Sequence, residues 1–185
     1  MRSAKLLLLI PFVACASSGG GSAPAPASQT VRVVGPQGGA SLTMATPDAP
    51  NVHTLSFTAD QVWRALPAAF DSLGIPIGTL DPVKRSMGNA GFKIRGRLKG
   101  VPLSRYIDCG TSTQIGPNAD NYDVSITILA DVRPAEPGTT TVTTTFNAAG
   151  RPANFAQEYS DCRSKGVLEG RLVDIVRGRL EHASR

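Results

Sequence analysis

Histidine, cysteine and aromatic residues are scarce in this sequence, and their scarcity limits the chemistry that the protein can perform. The 185 residues include two histidines, three cysteines and 5% aromatic residues. His53 and His182, together with widely spaced cysteines, do not make a zinc ligand set. The motifs G-x-S-x-G and H-E-x-x-H do not occur. We therefore predict no catalytic residue, no metal, no cofactor and a protein that is not an enzyme.

A strong excess of charge of one sign is also lacking. The formal net charge is +5, and two of the 19 basic residues, Arg2 and Lys5, lie in the predicted leader described below. Nucleic-acid-binding proteins cluster many more basic residues, often with aromatic neighbours. The composition therefore predicts that the protein has no nucleic-acid partner.

Long apolar runs are absent except at the N-terminus. There, the positively charged segment MRSAK (1–5) precedes the apolar segment LLLLIPFV (6–13). A membrane-spanning helix needs about 20 apolar residues, so this run is too short to cross a bilayer as a helix of the mature protein. Its size and its flanks predict a secretory signal.

The end of this segment, FVACASS, resembles the lipobox of bacterial lipoproteins, in which a small residue precedes an invariant cysteine. The resemblance implies a signal peptide over residues 1–14. It also implies that Cys15 carries diacylglycerol on its sulfur and an acyl chain such as palmitate on its nitrogen. Ala16 implies sorting to the outer membrane, facing the periplasm, because the inner-membrane retention signal has Asp at that position. The alternative is cleavage after Ala16, which would release a soluble secreted protein.

The segment that follows Cys15 has the composition of a tether. ASSGGGSAPAPASQ (16–29) is uncharged and rich in Ser, Gly, Ala and Pro, so we assign residues 15–29 to the lipidated cysteine and a flexible tether. TVRVV (30–34) and SLTM (41–44) predict a hairpin within residues 30–50, followed by a Pro-rich joint. The sequence leaves open whether this hairpin joins the main sheet. Residues 51–185 are predicted to form one α+β domain.

Cys109 and Cys162 are the two cysteines left after Cys15. An even number of cysteines in an oxidising compartment predicts one disulfide. It would close a loop of about 54 residues and stabilise the fold by roughly 4 kcal/mol in the chain-entropy description. The alternative is a pair of buried free thiols.

Helical and strand periodicities alternate along the rest of the chain. Thr58 and Gln61 form a capping-box pattern and precede apolar residues at helical spacing, which predicts a helix over 59–73 that contains Pro67 and ends at Gly74. A second helix is predicted over 161–183. The segments 122–132 and 139–148 alternate and predict a hairpin whose Val142 and Phe146 face the core while the threonines face solvent.

These elements predict an α+β fold, with a curved antiparallel β-sheet and two helices packed on one face. Their order resembles that of the helix-grip modules of the C subunit of the outer-membrane β-barrel assembly machinery. The likeness covers roughly residues 52–183 and is carried by the segments VWRALPAAFDSLGIPI and YDVSITILADV, which pair a first helix with a β-meander. It implies a helix-grip-like fold, and a fold alone does not fix a function.

The segment GFKIRGRLKG (91–100) alternates so that Lys93, Arg95, Arg97 and Lys99 are predicted to share one face of one strand. Such a row would suit an anionic partner. In a cell envelope the candidates are anionic lipid, lipopolysaccharide phosphate and acidic glycan. The alternative is a solvated outer face, or an edge strand that its charges protect from pairing.

The sequence favours a lipid-anchored adaptor or scaffold, which binds an envelope protein or an anionic surface and performs no chemistry. The second hypothesis is a periplasmic small-molecule or lipid carrier with a cavity between the sheet and the helices. In the carrier, Phe92, Ile126, Ile128 and Phe146 would line a cavity, whereas in the adaptor they would fill a core.

Overall fold

The computed structural model describes residues 29–35, 38–44, 50–154 and 156–185. The predicted signal peptide (1–14), Cys15 and the predicted tether up to residue 28 lie outside the described residues, as does most of the predicted Pro-rich joint. The helices are α1 (Ala59–Leu73) and α2 (Val167–Ala183). No helix in the described ranges is long and apolar enough to cross a membrane.

The strands are, in chain order, β1 (Gln29–Gly35), β2 (Gly38–Met44), β3 (Asn51–Leu55), β4 (Thr79–Asp81), β5 (Ser86–Arg95), β6 (Arg97–Leu98), β7 (Val101–Pro102), β8 (Ile107–Asp108), β9 (Thr111–Ser112), β10 (Gly116–Pro117), β11 (Tyr122–Pro134), β12 (Thr140–Pro152) and β13 (Ser160–Ser164). Seven of them form one antiparallel sheet in the order β4-β5-β11-β12-β13-β8, with β3 also paired to β12. The predicted α+β fold is confirmed. The predicted N-terminal hairpin forms as β1 and β2, which make a separate two-stranded sheet.

The centre of the sheet is the pairing of β11 with β12, which runs in unbroken register from Tyr122 opposite Pro152 to Pro134 opposite Thr140. Alternate residues of both strands are buried, and α1 and α2 pack over this side, which we call the core face. Its apolar residues are Val124, Ile126, Ile128, Ala130, Val132, Val142, Phe146 and Ala148. The alternate positions of both strands that are not buried point to the opposite side, which we call the open face.

The prediction that the threonines of β12 face solvent is wrong for two of them. Thr140 and Thr144 share the core face with Val142 and Phe146, and both are buried. A buried hydroxyl is tolerated when it is hydrogen-bonded. The Thr140 hydroxyl donates to the Phe57 carbonyl at 2.7 Å, and the Thr144 hydroxyl donates to the Asn51 carbonyl at 3.3 Å.

Helix α1 has the predicted bounds and the predicted cap. The Thr58 hydroxyl accepts from the Gln61 backbone N–H at 3.4 Å, and the Gln61 side chain accepts from the Thr58 N–H at 2.9 Å. Gly74 ends the helix in the left-handed conformation, at φ 72°, which glycine adopts without a Cβ clash. The apolar stripe predicted from the sequence is buried against the sheet, including Leu66 and Phe70.

Helix α2 begins later than predicted. Residues 160–164 form β13 instead, because Ala148 to Gly150 of β12 pair with Cys162 to Ser160 and leave Cys162 buried on the core side. Gly166 then turns the chain into the helix at φ 69°. This first turn brings Leu168 and Leu172 onto the core face.

The predicted strand over 91–100 is divided. β5 ends at Arg95, and Gly96 at φ 74° directs the chain into the short hairpin of β6 and β7. Within β5, Asn89 pairs with Ile128 and Phe92 pairs with Ile126, so that an extra residue is accommodated opposite Thr127. Such a bulge bends a strand and increases its twist, and it contributes to the curvature of the sheet.

Gly88 of β5 is required by the close approach of β11. A Cβ at this position would lie 2.0 Å from the Ile128 carbonyl oxygen. We expect Gly88→Ala to lower the free energy of unfolding by about 3 kcal/mol, the upper part of the usual range for overpacking, because the overlap is with backbone rather than a movable side chain. Chemical denaturation would measure the change.

Gly178→Ala is the matched control for Gly88→Ala. Gly178 lies inside α2, and a Cβ there would meet nothing within 4 Å outside the helix's own backbone. Its replacement should raise the free energy of unfolding by up to about 1 kcal/mol through helix propensity. Equal midpoints for Gly88→Ala and the unmodified protein would contradict the packing argument.

Candidate functional site

The four basic residues singled out in the sequence are exposed, but they do not share one face. Lys93 and Arg95 alternate on β5 with Phe92 and Ile94, which pack against the core, so both basic side chains belong to the open face. The prediction of a single row over Lys93, Arg95, Arg97 and Lys99 is therefore wrong. The reason is Gly96, which ends the strand in the middle of the row.

Lys99 lies on the helix side of the sheet. It occupies the turn between β6 and β7 together with Gly100, and both residues have positive φ, 50° and 81°. Its side-chain carbons lie close to Gly74, the C-cap of α1, because a Cβ at Gly74 would be 3.1 Å from Lys99 Cδ. A cation near a helix C-terminus interacts favourably with the helix dipole. Arg97 donates from Nη1 to the Gly100 carbonyl at 2.9 Å, within the same turn.

Arg95 belongs instead to a row that crosses three strands of the open face. Arg95 donates from Nε and Nη2 to Asp123 Oδ1 of β11, at 2.8 and 2.7 Å. Asp123 is paired in register with Arg151 of β12, and the Arg151 guanidinium carbon lies 4.9 Å from the centre of the Tyr159 ring. Such a cation–π contact fixes the orientation of an arginine.

We define the open-face patch as Lys93, Arg95, Asp123, Arg151 and Tyr159. Lys93 is opposite Ser125 in the next row of the sheet. Among the described residues, no carboxylate forms an ion pair with Lys93 or Arg151. The patch therefore carries three cations and one carboxylate, and two of the cations are free to bind an anion.

Asp161 of β13 also lies in these rows, because it is paired in register with Ala149 of β12. No hydrogen bond or ion pair joins it to the patch within the described residues. The two cations without an ion pair flank Asp123 on opposite sides, Lys93 on β5 and Arg151 on β12.

The sequence reasoning missed Asp123, Arg151 and Tyr159 as members of a surface. The second strand of the predicted hairpin ended at residue 148, so the prediction did not assign Arg151 or Tyr159 to the sheet or its surface. A signal was nevertheless present. Ala148 and Gly150 are small residues that continue the core-face positions, and Arg151 falls on the opposite side.

Cys109 and Cys162 form the predicted disulfide, with the Cα atoms 4.4 Å apart. Asp108 pairs with Arg163 and Ile107 pairs with Ser164, so the two cysteines continue the register of β8 and β13 by one position. The alternative of two free thiols is thereby excluded. Gly150 lies beneath the bond, since a Cβ there would be 3.2 Å from Cys162 Sγ and 3.4 Å from Cys109 Sγ.

The disulfide fastens the irregular segment 103–121 to the edge of the sheet. Within this segment, Asp120 accepts from the Ser104 N–H at 2.8 Å and from the Ser104 hydroxyl at 2.7 Å. Lys165, two residues before α2, also holds this segment. Its Nζ donates to the Ser104 carbonyl at 2.7 Å, and its backbone N–H donates to the Tyr106 carbonyl at 2.9 Å.

Glu169, in the first turn of α2, is a buried carboxylate that the sequence did not reveal. Its Oε1 accepts from the Ser164 hydroxyl and from Asn51 Nδ2, the latter at 3.4 Å. Within the described residues, Oε2 has no hydrogen-bond partner. The carboxylate thus joins the first residue of β3, the end of β13 and the start of α2, and its position near the helix N-terminus is electrostatically favourable.

The residues that could suggest catalysis are not assembled into a site. Cys109 is consumed by the disulfide, His53 is half-buried in β3 opposite Val142, and His182 is exposed in the last turn of α2. A disulfide sulfur has no thiolate to act as a nucleophile.

The residues predicted to line a carrier cavity lie within the packed region. Ile126, Ile128 and Phe146 belong to the same buried cluster as Leu66 and Phe70 of α1. On the outer surface, an open groove of about 440 Å³ runs between the two helices, with Ala65, Ala68, Leu180 and the arginines Arg64 and Arg179 among its lining residues.

No family model matches this chain, and a search of curated proteins finds no match either.

The disulfide provides a direct test of this architecture. We expect Cys109→Ala with Cys162→Ala to lower the free energy of unfolding by about 3–4 kcal/mol, because the unfolded chain loses a constraint over a 53-residue separation. Denaturation with and without a thiol reductant would measure the change. The reductant should weaken the unmodified protein and leave the double variant unaffected. A reductant-insensitive midpoint for the unmodified protein would contradict the prediction.

Proposed function

We propose that this chain is a lipid-anchored protein of the cell envelope, held at the outer membrane and facing the periplasm. Its domain acts as a non-catalytic adaptor that binds an envelope protein or an anionic surface. The observation that carries this proposal is the open-face patch, in which cations from β5 and β12 are presented on a face of the sheet that the helices leave uncovered.

The Cys109–Cys162 disulfide supports the proposed location in the cell envelope. Disulfides persist in exported proteins and are rare where thiols are kept reduced. The bond is therefore consistent with the export signal read in residues 1–14 and with lipidation at Cys15. With acyl chains on Cys15, the protein would be held firmly, since a single chain gives only reversible binding.

The rigidity of the open face supports a binding role. Its central positions lie on β11 and β12, which pair continuously along their length. Most of its side chains are polar and half-exposed, including Ser125, Thr127, Thr143 and Thr145. A surface of fixed polar groups loses little conformational freedom when it binds.

The charges of the patch support an anionic or acidic partner. Lys93 and Arg151 have no carboxylate partner among the described residues, so both can meet a partner's phosphate or carboxylate, and Arg151 is already oriented by the Tyr159 ring. Arg95 is compensated by Asp123 and serves chiefly to hold the row together. Packing of Ile126, Ile128 and Phe146 in the core favours the adaptor over the carrier.

The mass of the mature protein tests the anchor. We expect the product to begin at Cys15, to carry acyl chains and to lack two hydrogens because of the disulfide. Mass spectrometry of detergent-extracted protein from a diderm bacterial host would report all three. A water-soluble product that begins at Ser17, or an unprocessed chain that begins at Met1, would contradict the proposal.

Capture of partners tests the adaptor. We expect the lipidated protein to retain a reproducible envelope partner, and Lys93→Glu with Arg151→Glu to reduce its recovery several-fold. These two residues are chosen because their replacement leaves no carboxylate without its partner. The control is Arg105→Glu with Arg185→Glu, which makes the same change of charge at two exposed arginines outside the patch that form no ion pair within the described residues. Equal recovery with both double variants, or no retained partner at all, would contradict the proposal.

A further inference from the structure

Exposed apolar side chains are concentrated at one edge of the sheet. In residues 50–154 and 156–185, the exposed large hydrophobic residues are Val52, Ile77, Leu80, Val83, Ile115 and Val167. Three of these six lie within residues 77–83: Ile77 just before the edge strand β4, Leu80 on β4 and Val83 in the turn that follows it. Leu80 is 60% exposed and Val83 is 94% exposed. Clustered exposure of this kind marks interaction surfaces, whereas single exposed residues need no explanation.

The turn that presents Val83 is built rigidly. Asp81 Oδ1 accepts from the Val83 and Lys84 backbone N–H groups, both at 3.0 Å. Arg85 forms an ion pair with Asp60 of α1, and its carbonyl accepts from the Val132 N–H at 2.9 Å. Val83 is therefore held in solvent by bonds on both sides of it.

The chemistry of the tip suits a lipid bilayer better than a strand partner. β4 has three residues and lies between Pro76 and Pro82, and short edges bounded by proline resist strand addition. Val83 lies beyond the strand, at the apex of the turn. Lys84 beside it has a side chain that is 78% exposed and pairs with Asp81 at 3.8 Å. An exposed ion pair of this kind contributes little, so the ammonium can reach lipid phosphates while the apolar side chains enter the acyl boundary.

We propose that this hairpin tip, Leu80 to Lys84 with Ile77 beside it, is a membrane-contact site that inserts into the interface of the bilayer. The inference rests on the proposed lipid anchor. Gln29 and Met44 are paired in the β1–β2 hairpin, so the reach is set by the 14 positions from Cys15 to Gln29 and the six from Met44 to Pro50. For a tether of that length the r.m.s. reach is about 25 Å. Tethering at that range supplies an effective concentration high enough for a weak contact to be populated.

Insertion of the tip also orients the domain. β5 runs from Ser86, next to the tip, to Arg95 in the open-face patch, a distance of about 30 Å at the rise of a β-strand. With the tip in the bilayer, the patch lies away from the membrane and faces the periplasm. The two surfaces therefore serve different partners, and separate substitutions can distinguish them.

The test uses the mature chain exported behind an ordinary secretory leader with Cys15→Ser, so that no acyl chain contributes to binding. Vesicles of phosphatidylethanolamine and phosphatidylglycerol, sedimented at millimolar lipid, measure the partition coefficient. We expect measurable binding, and we expect Leu80→Asp with Val83→Asp to reduce it at least tenfold. Both residues are exposed, so the variants should unfold at the same temperature as the parent chain.

Two matched variants complete the design. Ile115→Asp with Val167→Asp makes the same chemical change at two other exposed apolar positions, and Lys93→Glu with Arg151→Glu alters the patch; both should leave vesicle binding unchanged. The proposal is overturned if the parent chain does not bind vesicles, or if the Ile115 and Val167 variant loses binding equally. It is also overturned if the patch variant loses binding while the tip variant keeps it, or if the tip variant instead loses a captured protein or a dimer. Failure of the anchor would appear in the mass of the mature protein, independently of these results.

Discussion

The continuous register between β11 and β12 determines which side of the sheet is apolar, and therefore where the helices of the domain pack. Because side chains alternate across a strand, the register assigns Ile126, Ile128, Val142 and Phe146 to one side and the polar residues to the other. A slip of one residue would exchange the two faces and place the apolar set in solvent. The helices α1 and α2 can then cover only the core face, and they leave the opposite face of the sheet uncovered.

β12 also determines where the strands beyond it, β3 and β13, lie in the sheet. Its first half pairs with β3 and its second half pairs with β13, so two segments far apart in sequence lie end to end along one strand. Their junction is closed by the buried Glu169 carboxylate, which reaches both Asn51 and Ser164. The disulfide then attaches β8 to β13 and carries the irregular segment after β7 with it. A polar contact and a covalent bond thus complete an edge that hydrophobic packing alone does not specify.

Local signals in the sequence predicted the parts of the fold that depend on local physics. The capping residues Thr58 and Gln61, the stop at Gly74 and the alternation in 122–132 each act within a few residues, and the structure has the expected elements there. Thr140, Thr144 and residues 161–164 were misassigned because their environments are set by distant partners, namely Phe57, Asn51 and β12. The prediction that four basic residues share one face was wrong because Gly96 ends β5 and redirects the backbone. The patch that replaced the predicted row joins β5, β11 and β12 with Tyr159, and no window of sequence contains all of them.

The place where the chain enters the described domain decides how the fold would respond to a force applied from its N-terminal side. Asn51 is the first residue of β3, and β3 is bonded within the sheet to β12 only. A pull from the N-terminal side would therefore peel β3 away pair by pair, beginning at Asn51 and Thr144, rather than shear the whole sheet at once. Cys162 and its disulfide lie on β13, which pairs with the other half of β12, outside that path. Under such a force β3 would separate before the disulfide-linked part of the sheet.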